Sequence, residues 1–166
     1  MAITMYSASV PLFQQLLRGL KGVLGKGQAH CAAKGIEEAA LLTDRLYPDM
    51  FHFTRQVQQA TDMACGGAAR LAGVDVPSLP GEAASFADLI KRVEAAQAFL
   101  QGLKPAQIDG SEEKEITITL RAGPRSFKGQ DYLMTWLIPH TTFHVTTAYD
   151  ILRHRGVEIG KRDFLG

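Results

Sequence analysis

The residues of this chain best suited to chemistry are two histidines in the segment His140-Thr-Thr-Phe-His144. Residues four apart on a helix lie one turn above each other, so both imidazoles point to the same side. The helical period also places them on an apolar face, seven residues after Leu133 and seven before Ile151. Buried ring nitrogens need partners, and two neutral imidazoles in this arrangement can ligate a divalent metal ion. The alternative is a pair that hydrogen-bonds to tyrosine, threonine or water.

A metal site needs at least one more ligand, and the candidate is His52. It follows Pro48 by four residues, near the predicted start of the second long helix. Helical geometry puts it about 115° from the centre of that helix's apolar face, at the boundary between buried and exposed sides. We interpret His30 and His154 as structural or solvated histidines.

Other reactive residues offer weaker candidates. Cys31 and Cys65 lie among alanines and glycines without a C-x-x-C spacing, so we expect small buried side chains. The glycine-rich segment 19–27 lacks the spacing of a phosphate-binding loop and lies inside a helical pattern. A run of acids falls in a predicted loop, where we expect it to be solvated: Asp109, Glu112, Glu113 and Glu115. The sequence therefore gives no support to hydrolysis by paired carboxylates.

Four long amphipathic helices are predicted to position these residues, near 5–33, 48–72, 85–104 and 129–155. Ser7 or Ser9 is expected to cap the first helix, with Pro11 in its first turn. Ser85, followed three residues later by Asp88, resembles a capping box for the third. Three glycines are expected to end the first, second and fourth helices: Gly35, Gly73 and Gly156. Residues 158–166 are expected to form a polar tail.

A short β-hairpin is predicted near 115–128. Glu115–Leu120 alternates apolar and polar residues, Gly123-Pro124 indicates a turn, and Arg125–Lys128 can return as a second strand. A lone hairpin is marginally stable in water, so the apolar row Ile116, Ile118 and Leu120 needs a partner surface. That surface is either a second copy of the chain in a symmetric dimer or the protein's own bundle.

Composition limits the classes of function. The chain has 166 residues and a net charge of +1, with 18 basic and 17 acidic residues, so no field steers it to nucleic acid. No apolar run reaches the length of a membrane span, and the N-terminus lacks the pattern of a signal peptide. We expect a single domain over 1–166, a cytoplasmic protein, and neither nucleic acid nor membrane as a partner.

Segments along the whole chain resemble a known family: Phe143–Gly166, Met5-Tyr-Ser-Ala-Ser-Val-Pro11, and Pro48-Asp-Met-Phe51 with Arg55-Gln-Val-Gln58. They resemble an uncharacterised bacterial family within the DinB/YfiT-like superfamily. The resemblance implies an all-α, up-down-down-up four-helix bundle with a small β-hairpin inserted before the last helix. It also implies a homodimer.

Many members of that superfamily bind Ni, Zn or Fe through a histidine on helix two and an H-x-x-x-H pair on helix four. Some are thiol-dependent transferases or isomerases. Carried over to this sequence, the metal ligands are His140, His144 and, from helix two, His52. The superfamily's own helix-two histidine lies about a turn later, near Arg55.

Two hypotheses follow from these observations. In the first, a divalent metal on His140, His144 and His52 makes the protein an enzyme acting on a small molecule, by thiol-dependent transfer or another reaction. In the second, the protein is a dimeric, non-catalytic bundle with a vestigial metal site that binds a small molecule or serves a structural role. Three side chains then supply polar handles, that is, hydrogen-bonding O–H or N–H groups, for a ligand: Tyr132, Trp136 and Tyr149.

Overall fold

The computed structural model describes residues 3–166. In chain order its elements are α1 (Met5–Lys34), α2 (Glu38–Leu42), α3 (Phe53–Ala72), α4 (Phe86–Gly102), α5 (Pro105–Ile108), β1 (Glu115–Leu120), β2 (Gly123–Lys128), α6 (Gly129–Asp131), a π-helical segment (Tyr132–Leu137), α7 (Ile138–His154) and α8 (Lys161–Leu165). The segments α6, π and α7 follow one another without a break and form the last long helix.

The long helices form a bundle with α1 and α3 on opposite corners. Among the long helices, α1 packs mainly on α4 and then on α7, and α3 packs on the same two helices. Their apolar faces meet in one core that contains residues such as Phe13, Val57, Leu89, Leu133 and Ile151. Burying each such side chain contributes about 1.5–3 kcal/mol, so the apolar faces fix which side of α3 and α7 turns inward.

The first helix begins one turn earlier than its predicted caps. Thr4 is the N-cap: its hydroxyl accepts from Ser7 N at 3.2 Å, and Ser7 Oγ accepts from Thr4 N at 2.8 Å. The prediction that Ser7 or Ser9 caps α1 was wrong, since Ser9 lies inside the helix and its hydroxyl donates to Met5 O at 2.6 Å. Pro11 consequently lies in the second turn of α1, not in its first.

Helix α3 begins at Phe53, not near 48 as predicted. Phe53 N donates to Asp44 O at 2.7 Å, and the Thr54 hydroxyl donates to Leu42 O at 2.9 Å. These bonds tie the start of α3 to the end of α2 and leave Pro48 in the intervening loop. His52 is the N-cap residue of α3, in extended backbone.

Other predicted helix ends are confirmed. Ser85 caps α4, with its hydroxyl accepting from Asp88 N at 3.1 Å and donating to Asp88 Oδ2 at 2.7 Å. Gly35, Gly73 and Gly156 follow α1, α3 and α7 in left-handed backbone, with φ of 64°, 70° and 86°. A left-handed residue at this position satisfies terminal carbonyls of a helix, and glycine adopts it without a Cβ clash.

The hairpin lies on its own bundle. Its strands pair antiparallel from Glu115 with Lys128 to Leu120 with Gly123. Ile116 and Ile118 are 4% and 8% exposed, and both belong to the core of the bundle. Of the two partner surfaces considered for this apolar row, a second copy of the chain or the protein's own bundle, the row packs on its own bundle. The row therefore gives no argument for a homodimer, which stays a prediction.

The expected polar tail contains helix α8, which packs against α1. A Cβ on Gly19 would lie 2.1 Å from the backbone oxygen of Phe164, so this close approach depends on glycine. Lys26 Nζ pairs with Asp163 Oδ1 at 2.7 Å across the same contact. The sequence analysis did not predict this helix.

Both cysteines are free and buried, as predicted. Burial raises the pKa of the Cys65 thiol to about 12, so this thiol is protonated at neutral pH. Asp109 is exposed and accepts from Tyr6 N at 2.8 Å, at the beginning of α1. Within residues 3–166, no helix is long and apolar enough to cross a membrane.

Candidate functional site at the start of helix α7

The histidine pair lies in the first two turns of α7. His144 is buried, with 7% of its surface exposed, whereas His140 is half-buried. Together with Pro139 and Phe143 they line an open depression on the surface of the bundle. On the last long helix, His144 lies on the face that packs into the core, whereas His140 lies at the rim of the depression.

A hydrogen-bond chain fixes the orientation of His144. Its Nδ1 lies 2.7 Å from Gln56 Oε1, and Gln56 Nε2 donates to Phe51 O at 3.1 Å. Because Phe51 O can only accept, the amide nitrogen of Gln56 must face it, and the amide oxygen must face His144. The Nδ1 atom of His144 therefore carries the proton, and its Nε2 is left with a lone pair.

His144 is neutral at physiological pH. Burial lowers the pKa of His144 to about 4, with smaller contributions from the neighbouring His140 and from the Arg55 cation. No protein group in residues 3–166 hydrogen-bonds to Nε2 of His144, and this atom is not among the buried unpaired ones. The lone pair of Nε2 is thus available to a molecule in the depression.

His140 is held by Trp136. Its Nδ1 donates to Trp136 O at 2.8 Å, and the two ring centroids are 4.1 Å apart. The π-helical segment bonds Ile138 N to Leu133 O, five residues back, and Pro139 has no N–H. Because of the π-helical bonding and Pro139, this turn has more carbonyl acceptors than backbone N–H donors. The imidazole of His140 supplies a donor for one of these carbonyls, Trp136 O. In neutral His140 this leaves the lone pair on Nε2 as well.

Aromatic rings and one cation border the depression. The ring of Phe143 meets His144 edge-on at 5.3 Å, and the ring of Phe51 stacks near it at 6.5 Å. Both phenylalanines are about half exposed. The guanidinium of Arg55 lies over Phe51, 5.7 Å from its centroid. The site thus combines exposed, flat apolar surface with the accessible Nε2 acceptor of a mostly buried histidine.

His52 is the residue directly before α3, and its Nδ1 is buried with no hydrogen-bond partner among residues 3–166. The side chain of α3 that reaches His144 is Gln56, which the sequence analysis missed. The sequence does indicate that Gln56 faces inward, because it follows Phe53 by three residues and so lies on the same face of the helix. A polar residue on that face needs a buried partner, and His144 supplies it.

The family model for a domain of unknown function, DUF1993, matches residues 5–165 of the chain. The chain belongs to this family. Its match covers nearly the whole sequence, as the end-to-end resemblance predicted. No curated protein matches the sequence significantly.

The DUF1993 chain is also similar to a solved structure, that of a DinB family member protein from Shewanella denitrificans. The two share 34% sequence identity with a TM-score of 0.87, over 97% of this chain and 91% of that one. The predicted fold class is confirmed: a DinB-like four-helix bundle with a small hairpin before the last helix.

The side chains of this DUF1993 protein do not complete a metal site. Among residues 3–166, no three His, Cys, Asp or Glu side chains form a group that could hold a metal ion. His140 and His144 each have Nδ1 bonded to an oxygen, which is the usual support of a metal-ligating imidazole. However, a catalytic zinc has three protein ligands and a structural one has four, so the pair would need at least one further ligand, and His52 stays a prediction for that role.

The three expected polar handles lie away from the depression or at its edge. The hydroxyl of Tyr149 lies 3.5 Å from Ile159 O, and its ring packs on Phe164 of α8. Trp136 contacts His140, and Tyr132 is buried one turn before it. The functional candidates in this DUF1993 protein are thus His144 and His140, and Gln56 positions His144.

Proposed function

We propose that this protein binds a small molecule in the depression over His144, and that neutral His144 accepts a hydrogen bond from it through Nε2. The observation that carries the proposal is the bond between Gln56 Oε1 and His144 Nδ1, 2.7 Å long. This bond fixes the tautomer whose lone pair faces the depression. An oriented polar group within apolar surroundings is the usual composition of a small-molecule pocket.

The surroundings define the chemistry of the ligand. A hydroxyl, amide or thiol group can donate to Nε2 of His144, and a flat apolar body can pack on the rings of Phe51 and Phe143. Arg55, which lies over Phe51, favours electron-rich groups at the rim. The ligand class is therefore a small, flat molecule with a hydrogen-bond donor.

Phenol is a suitable probe, because it has one hydroxyl donor and a flat apolar ring. We expect millimolar phenol to shift the Nε2 resonance of His144 in ¹⁵N spectra of the imidazoles, whereas anisole, which lacks the donor, has a much weaker effect. In His144→Phe the binding of phenol should weaken by roughly tenfold, the range of a lost hydrogen bond in a buried site. The matched control, His154→Phe, changes an exposed histidine and should leave binding unchanged. Equal binding of phenol and anisole would refute the proposal.

A metal-dependent activity is the second candidate. It is favoured by the buried Nδ1 of His52, which lacks a partner, and by the oxygen-bonded Nδ1 atoms of His140 and His144. A divalent ion, Ni, Zn or Fe, would supply Lewis-acid chemistry of the kind that a thiol-dependent transfer uses. Metal content of the protein, purified without a histidine tag from supplemented cells, tests it. A stoichiometric ion that is lost in His144→Phe supports this candidate.

A further inference from the structure

A second cavity lies between the hairpin and α3, on another part of the bundle. It has a volume of about 260 Å³ and is enclosed by β1, by one face of α3, by the segment 76–79 and by the π-helical segment. We call it the hairpin cavity. An apolar cavity of about 150 Å³ holds benzene, so this one accommodates a somewhat larger molecule.

The floor of the hairpin cavity is formed by Asp62, Gly66 and Arg70, at four-residue intervals on one face of α3. A glycine inside a helix costs about 1 kcal/mol relative to alanine, so its presence calls for a reason. A Cβ on Gly66 would lie 2.9 Å from Nη1 of Arg70. The glycine therefore leaves room for the guanidinium to lie back over the helix, where it borders the cavity.

The charges around the hairpin cavity do not balance. Asp62 pairs with the buried guanidinium of Arg92. Arg70, in contrast, has no carboxylate within ion-pair distance in residues 3–166. The carboxylate of Asp62 is therefore engaged by Arg92, whereas the positive charge of Arg70, which lines the cavity, has no carboxylate partner in the described part of the chain.

A second polar side chain complements this charge. Tyr132 is 1% exposed and borders the hairpin cavity, as does the solvent-exposed side chain of Arg70. A guanidinium and a hydroxyl that border one cavity are suited to a carboxylate, which accepts from both. The opposite walls are apolar, with Ile118 and Leu120 from the hairpin and Leu79 from the loop before α4.

We propose that the hairpin cavity binds a small organic carboxylate, with its anionic group on Arg70 and Tyr132 and its apolar body beneath the hairpin. This site is separate from the depression over His144. It also goes beyond the proposed function, because none of the groups that form it takes part in the network of Gln56 and His144.

Trp136 provides a direct reporter. It is the only tryptophan of the chain and lines the hairpin cavity. We expect phenylacetate and hexanoate to change its fluorescence in a saturable way at millimolar concentration, with matching heats in calorimetry. Phenylacetamide, which has the same shape as phenylacetate without the charge, should bind roughly tenfold more weakly, as expected for a lost charge-assisted hydrogen bond.

Two variants locate the site. Arg70→Gln should weaken phenylacetate roughly tenfold while binding of phenylacetamide stays the same. Val76→Phe places a larger side chain from the exposed loop at the cavity and should weaken both probes. The matched control is Arg121→Gln, which removes an exposed arginine outside the cavity, and His144→Phe should likewise leave phenylacetate binding unchanged. Absence of saturable binding of both carboxylates, or equal affinity in Arg70→Gln, would overturn the proposal.

Discussion

Gln56 and His144 are 88 positions apart in sequence, yet their side chains meet at 2.7 Å and join α3 to α7. The contact is buried, and a third member, Phe51 O, fixes the direction of the amide. This relationship determines which nitrogen of His144 carries the proton and which is free. The chemistry of the depression therefore depends on a residue of the neighbouring helix.

Replacement of Gln56 by leucine tests this dependence. Gln56→Leu leaves the Nδ1 proton of His144 without an acceptor, and a buried donor without a partner costs about 1–3 kcal/mol. We expect a loss of that size in the free energy of unfolding, measured with urea, and a mixed tautomer of His144 in ¹⁵N spectra. The control is Gln59→Leu, which changes a neighbouring glutamine whose side chain makes no hydrogen bond to any other residue of 3–166. An unchanged tautomer in Gln56→Leu would contradict this account.

The depressed pKa of His144 makes stability depend on pH. Its pKa is about 4 in the folded protein and about 6.5 in the unfolded chain, so between these values the unfolded chain binds more protons. Stability is therefore complete above pH 6.5 and falls as the pH is lowered toward 4, by up to about 3 kcal/mol.

Urea unfolding at several pH values between 7 and 4.5 measures this slope. We expect His144→Gln to lose most of it, because the replacement cannot take up a proton. His154→Gln, which alters an exposed histidine of the last turn of α7, should keep the slope of the unaltered protein. A slope that survives in His144→Gln would mean that other groups cause it.

The incomplete ligand set predicts weak metal binding. Two imidazoles without a third protein ligand should hold zinc or nickel far less tightly than a complete site. We expect substoichiometric metal in protein purified without a histidine tag, and little rise of the melting temperature on addition of equimolar zinc. One bound ion per chain, lost in His140→Ala, would instead establish the metal-dependent candidate.

The sequence predicted the fold better than the site, for physical reasons. The apolar stripes of α1, α3, α4 and α7 are local patterns, and the cap formed by Ser85 and Asp88 is also local. The start of α3 was misplaced because a long-range bond from Phe53 N to Asp44 O determines it. The packing of α8 depends on Gly19, far away in the sequence.

In the candidate site, too, local patterns could be predicted from the sequence and long-range contacts could not. The spacing of His140 and His144 follows from helical geometry and was visible in the sequence. The partner of His144 is an amide from α3, and no pattern within α7 indicates it. His52 was considered as a third ligand at the boundary of α3, and it is the N-cap residue of that helix in extended backbone, a placement that helical periodicity does not describe.

The hairpin gives a prediction that separates stability from self-association. Ile118 is 8% exposed and belongs to the core of its own chain. In Ile118→Glu a carboxylate is buried without a partner, so we expect a large loss of stability, of the order of 3 kcal/mol or more. The control is Thr117→Glu, on the exposed face of the same strand, which should melt within a few degrees of the unaltered protein.

Light scattering on the same samples tests the predicted homodimer. Because Ile118 packs on its own bundle, Ile118→Glu should lower the melting temperature whether or not the protein is dimeric. A folded Ile118→Glu monomer with the melting temperature of a dimeric parent would instead place the hairpin at an interface. If the parent protein is a monomer at high micromolar concentration, the homodimer prediction is wrong.

Two glycines within helices should respond oppositely to alanine. A Cβ on Gly67 would lie 2.3 Å from Cδ2 of Leu137, at the end of the π-helical segment. Gly67→Ala therefore forces the fully buried side chain of Leu137 to move, and such overpacking costs about 1–3 kcal/mol. A Cβ on Gly22 in α1 would have no atom of the described residues within 4 Å, so Gly22→Ala should gain about 1 kcal/mol from helix propensity.

Urea denaturation of both variants measures these changes, and the ¹⁵N resonances of His140 report on the site. Because Leu137 directly precedes α7, the shift caused by Gly67→Ala should reach the bond between His140 Nδ1 and Trp136 O, whereas Gly22→Ala should leave it unaltered. If both variants gain stability, Leu137 adapts freely, and the close packing of α3 on the π-helical segment does not hold His140 in place.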